Sequence, residues 1–118
     1  MTDPKGWPRN RQRWTAALRD PKRRQTTGEL GHQNENGQCC LGVLAEVAGC
    51  AYEDGEWDGE VCVAPIRAMD FVGLRTSDGD YDAYSLLGDN DNDYRRGKTF
   101  AEIADIIEEE PEGLFWSA

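Results

Sequence analysis

A single histidine, His32, stands in the whole chain, and no apolar run approaches the roughly 20 residues that a membrane span requires. Each scarcity removes a class of function. Nucleophilic catalysis by serine or cysteine needs a base held beside the nucleophile, and His32 falls in a turn-rich stretch with neither residue next to it in a nucleophile motif. The chain has no glycine-rich phosphate loop. Its four cysteines, Cys39, Cys40, Cys50 and Cys62, form a vicinal pair followed by single residues at long intervals, not the two close pairs that hold a structural zinc. The N-terminus, Met1-Thr2-Asp3-Pro4-Lys5-Gly6, has no apolar core of a secretory signal, so the expected compartment is the cytoplasm and the expected state of the cysteines is reduced and buried. These readings together predict no catalytic residue, no metal and no cofactor, hence a protein that is not an enzyme.

What the chain does have is charge, unevenly placed. Residues 1–24 carry eight cations against two carboxylates, a balance of +6, and the remaining 94 residues carry five against 21, a balance of −16. The 118 residues predict one domain, with residues 1–8 as a flexible arm. A basic first helix is therefore joined to a strongly acidic body, and two arrangements are open. The helix can lie on the body and be neutralised within the fold, or one of the two surfaces can serve as a docking site.

The longest apolar stretch, Cys39-Cys40-Leu41-Gly42-Val43-Leu44-Ala45, predicts the buried central helix: Cys40, Val43, Leu44 and Val47 share one face, and Gly49 suits a left-handed cap. Before it, Arg9 to Asp20 lacks glycine and proline and reads as the basic helix, with Trp14, Ala17 and Leu18 on a narrow apolar stripe. Residues 25–30 predict a short strand and Asn36-Gly37 a hairpin turn. Val61-Cys62-Val63 predicts another strand, Pro65 a helix that runs to Gly73, and Tyr81 to Leu87 a further strand. Thr99-Phe100-Ala101-Glu102 is a capping box, and Phe100, Ile103, Ala104 and Ile107 give the last helix its buried stripe. Glu108-Glu109-Glu110 then opposes the helix dipole by a few tenths of a kcal/mol per charge, which calls for a cationic partner in this chain or another. The fold class is α+β: three to four short helices on a small antiparallel sheet. The expected core is Trp14, Leu18, Leu30, Cys40, Val43, Leu44, Val47, Ile66, Phe71, Leu86, Phe100, Ile103 and Ile107.

Two acidic clusters are candidate partner-binding surfaces, Glu53, Glu56, Asp58 and Glu60 around Trp57, and Asp89, Asp91 and Asp93. Trp57 either contacts a partner or folds back on the core. The Asp89–Asp93 run alternates oxygen ligands in the manner of a calcium loop, but Tyr94 and Phe100 stand where an EF-hand needs glycine and glutamate, so a turn is expected and no metal is assigned. The alternative surface is the basic helix, whose Arg9, Arg11, Arg13, Arg19, Lys22, Arg23 and Arg24 could contact nucleic acid, against the repulsion of the acidic body.

Trp14-x-x-Ala17-Leu18, Gln25-x-x-Gly28-x-Leu30, Cys39-Cys40-Leu41-Gly42-Val43-Leu44 and Thr99-Phe100-Ala101-Glu102-Ile103-Ala104-Asp105-x-Ile107-Glu108 occur in this order along the chain. In this it resembles a family of small uncharacterised proteins of tailed bacteriophages and prophages, from which it departs in the arginine density of the first helix. The resemblance implies a phage setting and the cytoplasm of a bacterial host, and it transfers no catalytic residue. The leading expectation is a non-enzymatic phage accessory protein that binds a host or defence protein through an acidic surface, with nucleic-acid mimicry as one form of that binding. No membrane partner is expected. A nucleic-acid-binding protein is the alternative, and a metal-binding protein or enzyme of unknown class comes third.

Overall fold

The computed structural model describes residues 4–91 and 97–117. The sequence order of its elements follows from three devices: a glycine-free basic helix, a cluster of Asp-Gly turns and a capping box. Helix α1 (Trp7–Leu18) has a proline in its first turn and buries Trp14, Thr15 and Leu18, and the chain turns away before Pro21. A short 3₁₀ turn, Pro4–Gly6, precedes it. Within this N-terminal stretch Trp7 donates its indole N–H to the Asp70 carbonyl at 2.9 Å and lies against Gly73, where a Cβ would stand 2.6 Å from the ring.

Strands β1 (Gly31–His32) and β2 (Gly37–Gln38) form an antiparallel hairpin closed by residues 33–36. The strand expected over 25–30 reduces to one parallel bridge between Gln25 and Gln38. Gly28, at φ +83°, breaks the extended run, and Leu30 drops into the core.

Helix α2 (Cys40–Val47) is the centre of the molecule, with Cys40 to Ala45 all buried. The Cys-Cys-Leu-Gly motif is explained by its surroundings. The Cys39 thiol caps the helix by accepting the Gly42 N–H at 3.4 Å, and the Cys40 carbonyl accepts the Trp14 indole N–H at 3.0 Å. Gly42 leaves room for the Leu30 carbonyl, which would stand 2.0 Å from a Cβ.

Strands β3 (Tyr52–Glu53) and β4 (Glu56–Trp57) make a second hairpin in the acidic stretch, and 61–63 is a bend, not a strand. Helix α3 (Ile66–Val72) starts after Pro65 and ends at Gly73, φ +75°. It turns Ala68 and Val72 inward, so Ile66, expected in the core, is 76% exposed, and Phe71 is only half-buried. The strand expected over 81–87 divides into a third hairpin, β5 (Asp80–Tyr81) and β6 (Tyr84–Ser85), followed by helix α4 (Leu86–Asp91). Helix α5 (Phe100–Glu109) has the full capping box and buries Phe100, Ile103, Ala104 and Ile107 against α1. The chain then pairs Phe115 with Leu74 and buries Leu114.

The architecture is α+β: five α-helices and three separate two-stranded hairpins among the described residues. The hairpins do not join into one sheet. Two buried amides stitch the layers together. Asn90 accepts the Cys40 N–H at 3.1 Å and the Gln25 side-chain N–H at 2.9 Å, and it donates to the Thr26 carbonyl at 2.8 Å. Gln38, fully buried, donates to the Gly42 carbonyl and accepts from Arg23. No helix among the described residues is long and apolar enough to cross a membrane.

Candidate interaction surfaces

The two acidic clusters separate sharply once folded. In the first, Asp54-Gly55 and Asp58-Gly59 each pair a left-handed aspartate with a left-handed glycine, at φ +52°, +83°, +49° and +88°. Positive φ at both central positions is the signature of a type I′ turn, whose twist suits a two-residue hairpin. The first turn joins β3 to β4, and the second brings Trp57 and Glu60 into a bridge. The β3–β4 register sets Tyr52 opposite Trp57 and Glu53 opposite Glu56, so two like charges face each other directly across the hairpin.

Trp57 anchors this loop and does not present itself to a partner. It is 4% exposed, donates its indole N–H to the Gly31 carbonyl at 2.7 Å, and stacks on His32 with centroids 5.7 Å apart. Its apolar ring leaves water for the core while its one polar atom stays paired, which withdraws it from the contact face. Tyr52 packs against both rings and donates its hydroxyl to Glu35 at 2.8 Å. Asp58 fixes the base of the loop. Its carboxylate accepts the Ala51 N–H at 2.8 Å and faces Arg67 at 3.5 Å. The Ala51 hydrogen bond, with help from Cys50 and Arg67, holds the Asp58 carboxyl below the ordinary carboxylate range. Glu53, Asp54 and Glu56 are exposed and border an open hollow of about 430 Å³. Glu60 is half-buried beside them.

Of the second cluster, Asp89 folds inward and Asp91 is half-buried. Asp89 is 1% exposed and accepts the Tyr81 hydroxyl, and Asp91 accepts the Gly28 N–H at 3.2 Å and the Asn90 side-chain N–H at 3.0 Å. Burial takes Asp89 out of contact with solvent, and Asp91 stays half-buried; Asp93 lies outside the described residues. Among the described residues no group of three or more His, Cys, Asp or Glu is arranged to hold a metal ion.

The basic helix is largely answered from within. Arg11 pairs with Glu110 at 2.9 Å, Arg19 with Glu108 at 2.8 Å and Asp105 at 2.5 Å, and Arg23 with Glu46 at 3.0 Å. The C-terminal glutamates of α5 thus find their cations on α1 of the same chain. Arg24 donates to the carbonyls of Gln33 and Glu35, and Arg13 lies 5.5 Å from the Phe71 ring centroid. Arg9 and Lys22 are exposed. Of the seven cations nominated for nucleic acid, three are engaged by carboxylates among the described residues.

Cysteine and histidine chemistry is muted by position. Burial pushes the Cys39 and Cys50 thiols up to about 12 and raises Cys40 well above its ordinary value. Cys62 alone of the four is exposed. His32 is half-buried, and its Nδ1 accepts the Asn34 N–H at 3.1 Å. Sequence reasoning missed Tyr52 and Arg67 as supports of the acidic loop. The two Asp-Gly pairs were the available signal for the hairpin, and nothing in the sequence marks Arg67.

The sequence model of a family described as a domain of unknown function (DUF8296) matches residues 8–70, just over half of the chain, from α1 to α3. No curated protein and no solved structure matches the chain.

Proposed function

We propose that this chain, which belongs to the family of the domain of unknown function DUF8296, is a non-enzymatic binding protein whose acidic β3–β4 hairpin docks on a cationic surface of another protein. In the phage setting that its motifs suggest, the partner is a host or defence protein of the bacterial cytoplasm. The observation that carries the reading is the Glu53–Glu56 cross-strand pair. Like charges directly opposite each other weaken a hairpin, a local cost that a cationic partner would remove. A cationic partner relieves the repulsion on binding, and the rigid base of Trp57 and Asp58 keeps the carboxylates in place beforehand.

The basic-helix reading is weaker because Arg11, Arg19 and Arg23 already have carboxylate partners. The deciding experiment is a pulldown from bacterial lysate with tagged protein, washed at low and high salt. One stoichiometric protein, released by high salt and absent with the Glu53→Lys/Glu56→Lys variant, is the expected result. Retention of nucleic acid without such a protein, abolished by Arg9→Gln/Arg13→Gln, would overturn it in favour of the helix.

A further inference from the structure

A second cleft, sharing no residue with the acidic hairpin, opens where the C-terminal segment passes the start of α1. It measures about 520 Å³, and its walls include Pro8, Arg11, Arg75, Pro111, Phe115 and Trp116. Two guanidiniums stack on two aromatic rings there, but they are differently engaged. Arg11 lies 4.0 Å from the Phe115 ring centroid and donates to the Val72 carbonyl at 2.8 Å, to Glu110 at 2.9 Å and to the Trp116 carbonyl at 3.4 Å. It holds the cleft together. Arg75 lies 4.6 Å from the Trp116 ring centroid, and its side chain has no hydrogen bond or ion pair among the described residues.

The indoles show the same contrast. Trp7, Trp14 and Trp57 each donate their N–H to a backbone carbonyl, of Asp70, Cys40 and Gly31. The Trp116 N–H makes no such bond among the described residues, and the residue is 52% exposed. One cleft therefore holds, side by side, an indole N–H and a guanidinium that have no hydrogen-bond partner among the described residues, in a wall of proline and aromatic rings.

These donors define what fits. A guanidinium held flat on a ring keeps its N–H edges open for a carboxylate. An exposed indole N–H in an aromatic wall donates to a backbone carbonyl of an extended chain, whose prolines pack on the rings at small entropic cost. Glu110 and Glu112 also line the cleft and Arg11 is already paired with Glu110, so Arg75 can answer one negative charge there, which suits a single carboxylate and not a multiply charged polyphosphate. We propose that the Arg75–Trp116 cleft docks an extended, proline-containing peptide segment of another protein, with a carboxylate of that segment on Arg75.

The test uses the full chain labelled with nitrogen-15 and the four indole N–H resonances, Trp116 being assigned by its loss in Trp116→Phe. The probe is the acetylated and amidated peptide Pro-Pro-Asp-Pro-Pro, set beside its asparagine counterpart and a short oligothymidylate. The acidic peptide is expected to shift the Trp116 resonance and leave the other three in place, which also reports an intact fold. Replacing its aspartate with asparagine, or Arg75 with glutamine, is expected to weaken binding about fivefold or more, and Arg75→Gln should not alter binding of the neutral peptide. No shift at about millimolar peptide, or equal binding of the two peptides, would overturn the proposal. Preferential binding of the oligothymidylate would replace it with a base-stacking site.

Discussion

At the scale of single residues, the central motif is a set of close fits, and each makes a different demand. Gly42 gives way to the Leu30 carbonyl, which would stand 2.0 Å from an added Cβ. Neither the carbonyl nor the buried helix can move aside cheaply in a packed interior, so Gly42→Ala is expected to cost about 3 kcal/mol or more in denaturant unfolding. Gly49 is the control. It has φ +82° with open space around its Cβ position, and Gly49→Ala is expected to cost only about 1 kcal/mol, the price of a left-handed backbone. A comparable loss at the two sites would refute the close-packing account. The thiols offer a second check. With Cys39, Cys40 and Cys50 buried and Cys62 exposed, a thiol reagent at about pH 8 is expected to modify one cysteine in the folded chain and four after unfolding. The buried cysteines and the helix stripe around them were legible from spacing and hydropathy alone. The reason for Gly42 was not, because its neighbour Leu30 comes from a segment twelve residues earlier that sequence reasoning drew as a strand.

Elements were legible in proportion to how much of their signal is local. The capping box at Thr99 and Glu102 and the left-handed stop at Gly73 depend on residues close in sequence, and both are present. The boundary of α4 is different. Tyr81 to Leu87 alternates like a strand, yet Asp82, at φ +50°, turns the chain back after two residues and Leu86 starts a helix that buries Asp89 and Asn90. Asn90 is held by Cys40, Gln25 and Thr26, a network that no local pattern announces. Two measurements follow from the helix ends. Thr99→Ala removes the oxygen that accepts the Glu102 N–H and is expected to cost about 1 kcal/mol. Arg19 pairs with Asp105 and Glu108 where α5 opposes its own dipole, and its side chain is one-third exposed. Arg19→Ala is therefore expected to cost about 0.5–1 kcal/mol at low salt and less in high salt, a difference that a buried, unscreened pair would not show.

Over the whole molecule, the opposed charges of the sequence are partly reconciled where Arg11 and Arg19 meet the end of α5 and Arg23 meets α2, and Glu53, Asp54 and Glu56 are among the carboxylates left exposed. That outcome was half visible. The sequence located the +6 and −16 halves but not the ion pairs between them, since Arg11 and Glu110 are 99 residues apart. Asp58 ties this charge to pH. Its folded value lies below the ordinary 3.8, so the charged form is the one the fold favours; its stabilising contribution is present above that ordinary value and is lost as pH falls through the lowered one. Protection of the Ala51 amide, its exchange rate relative to the unfolded amide at the same pH, is expected to fall in that acidic window, because its N–H bonds to the carboxylate, and Asp58→Asn should remove that change in protection. Glu53 and Glu56 predict the opposite sign. Glu53→Lys turns a facing like-charge pair into an opposite-charge pair, so the variant is expected to be as stable as the parent or more stable by a few tenths of a kcal/mol. If those carboxylates serve binding, the same substitution weakens capture of the cationic partner while the fold gains. A variant that loses stability and binding together would instead make Glu53 a structural residue, and would remove the hairpin from the proposed interface.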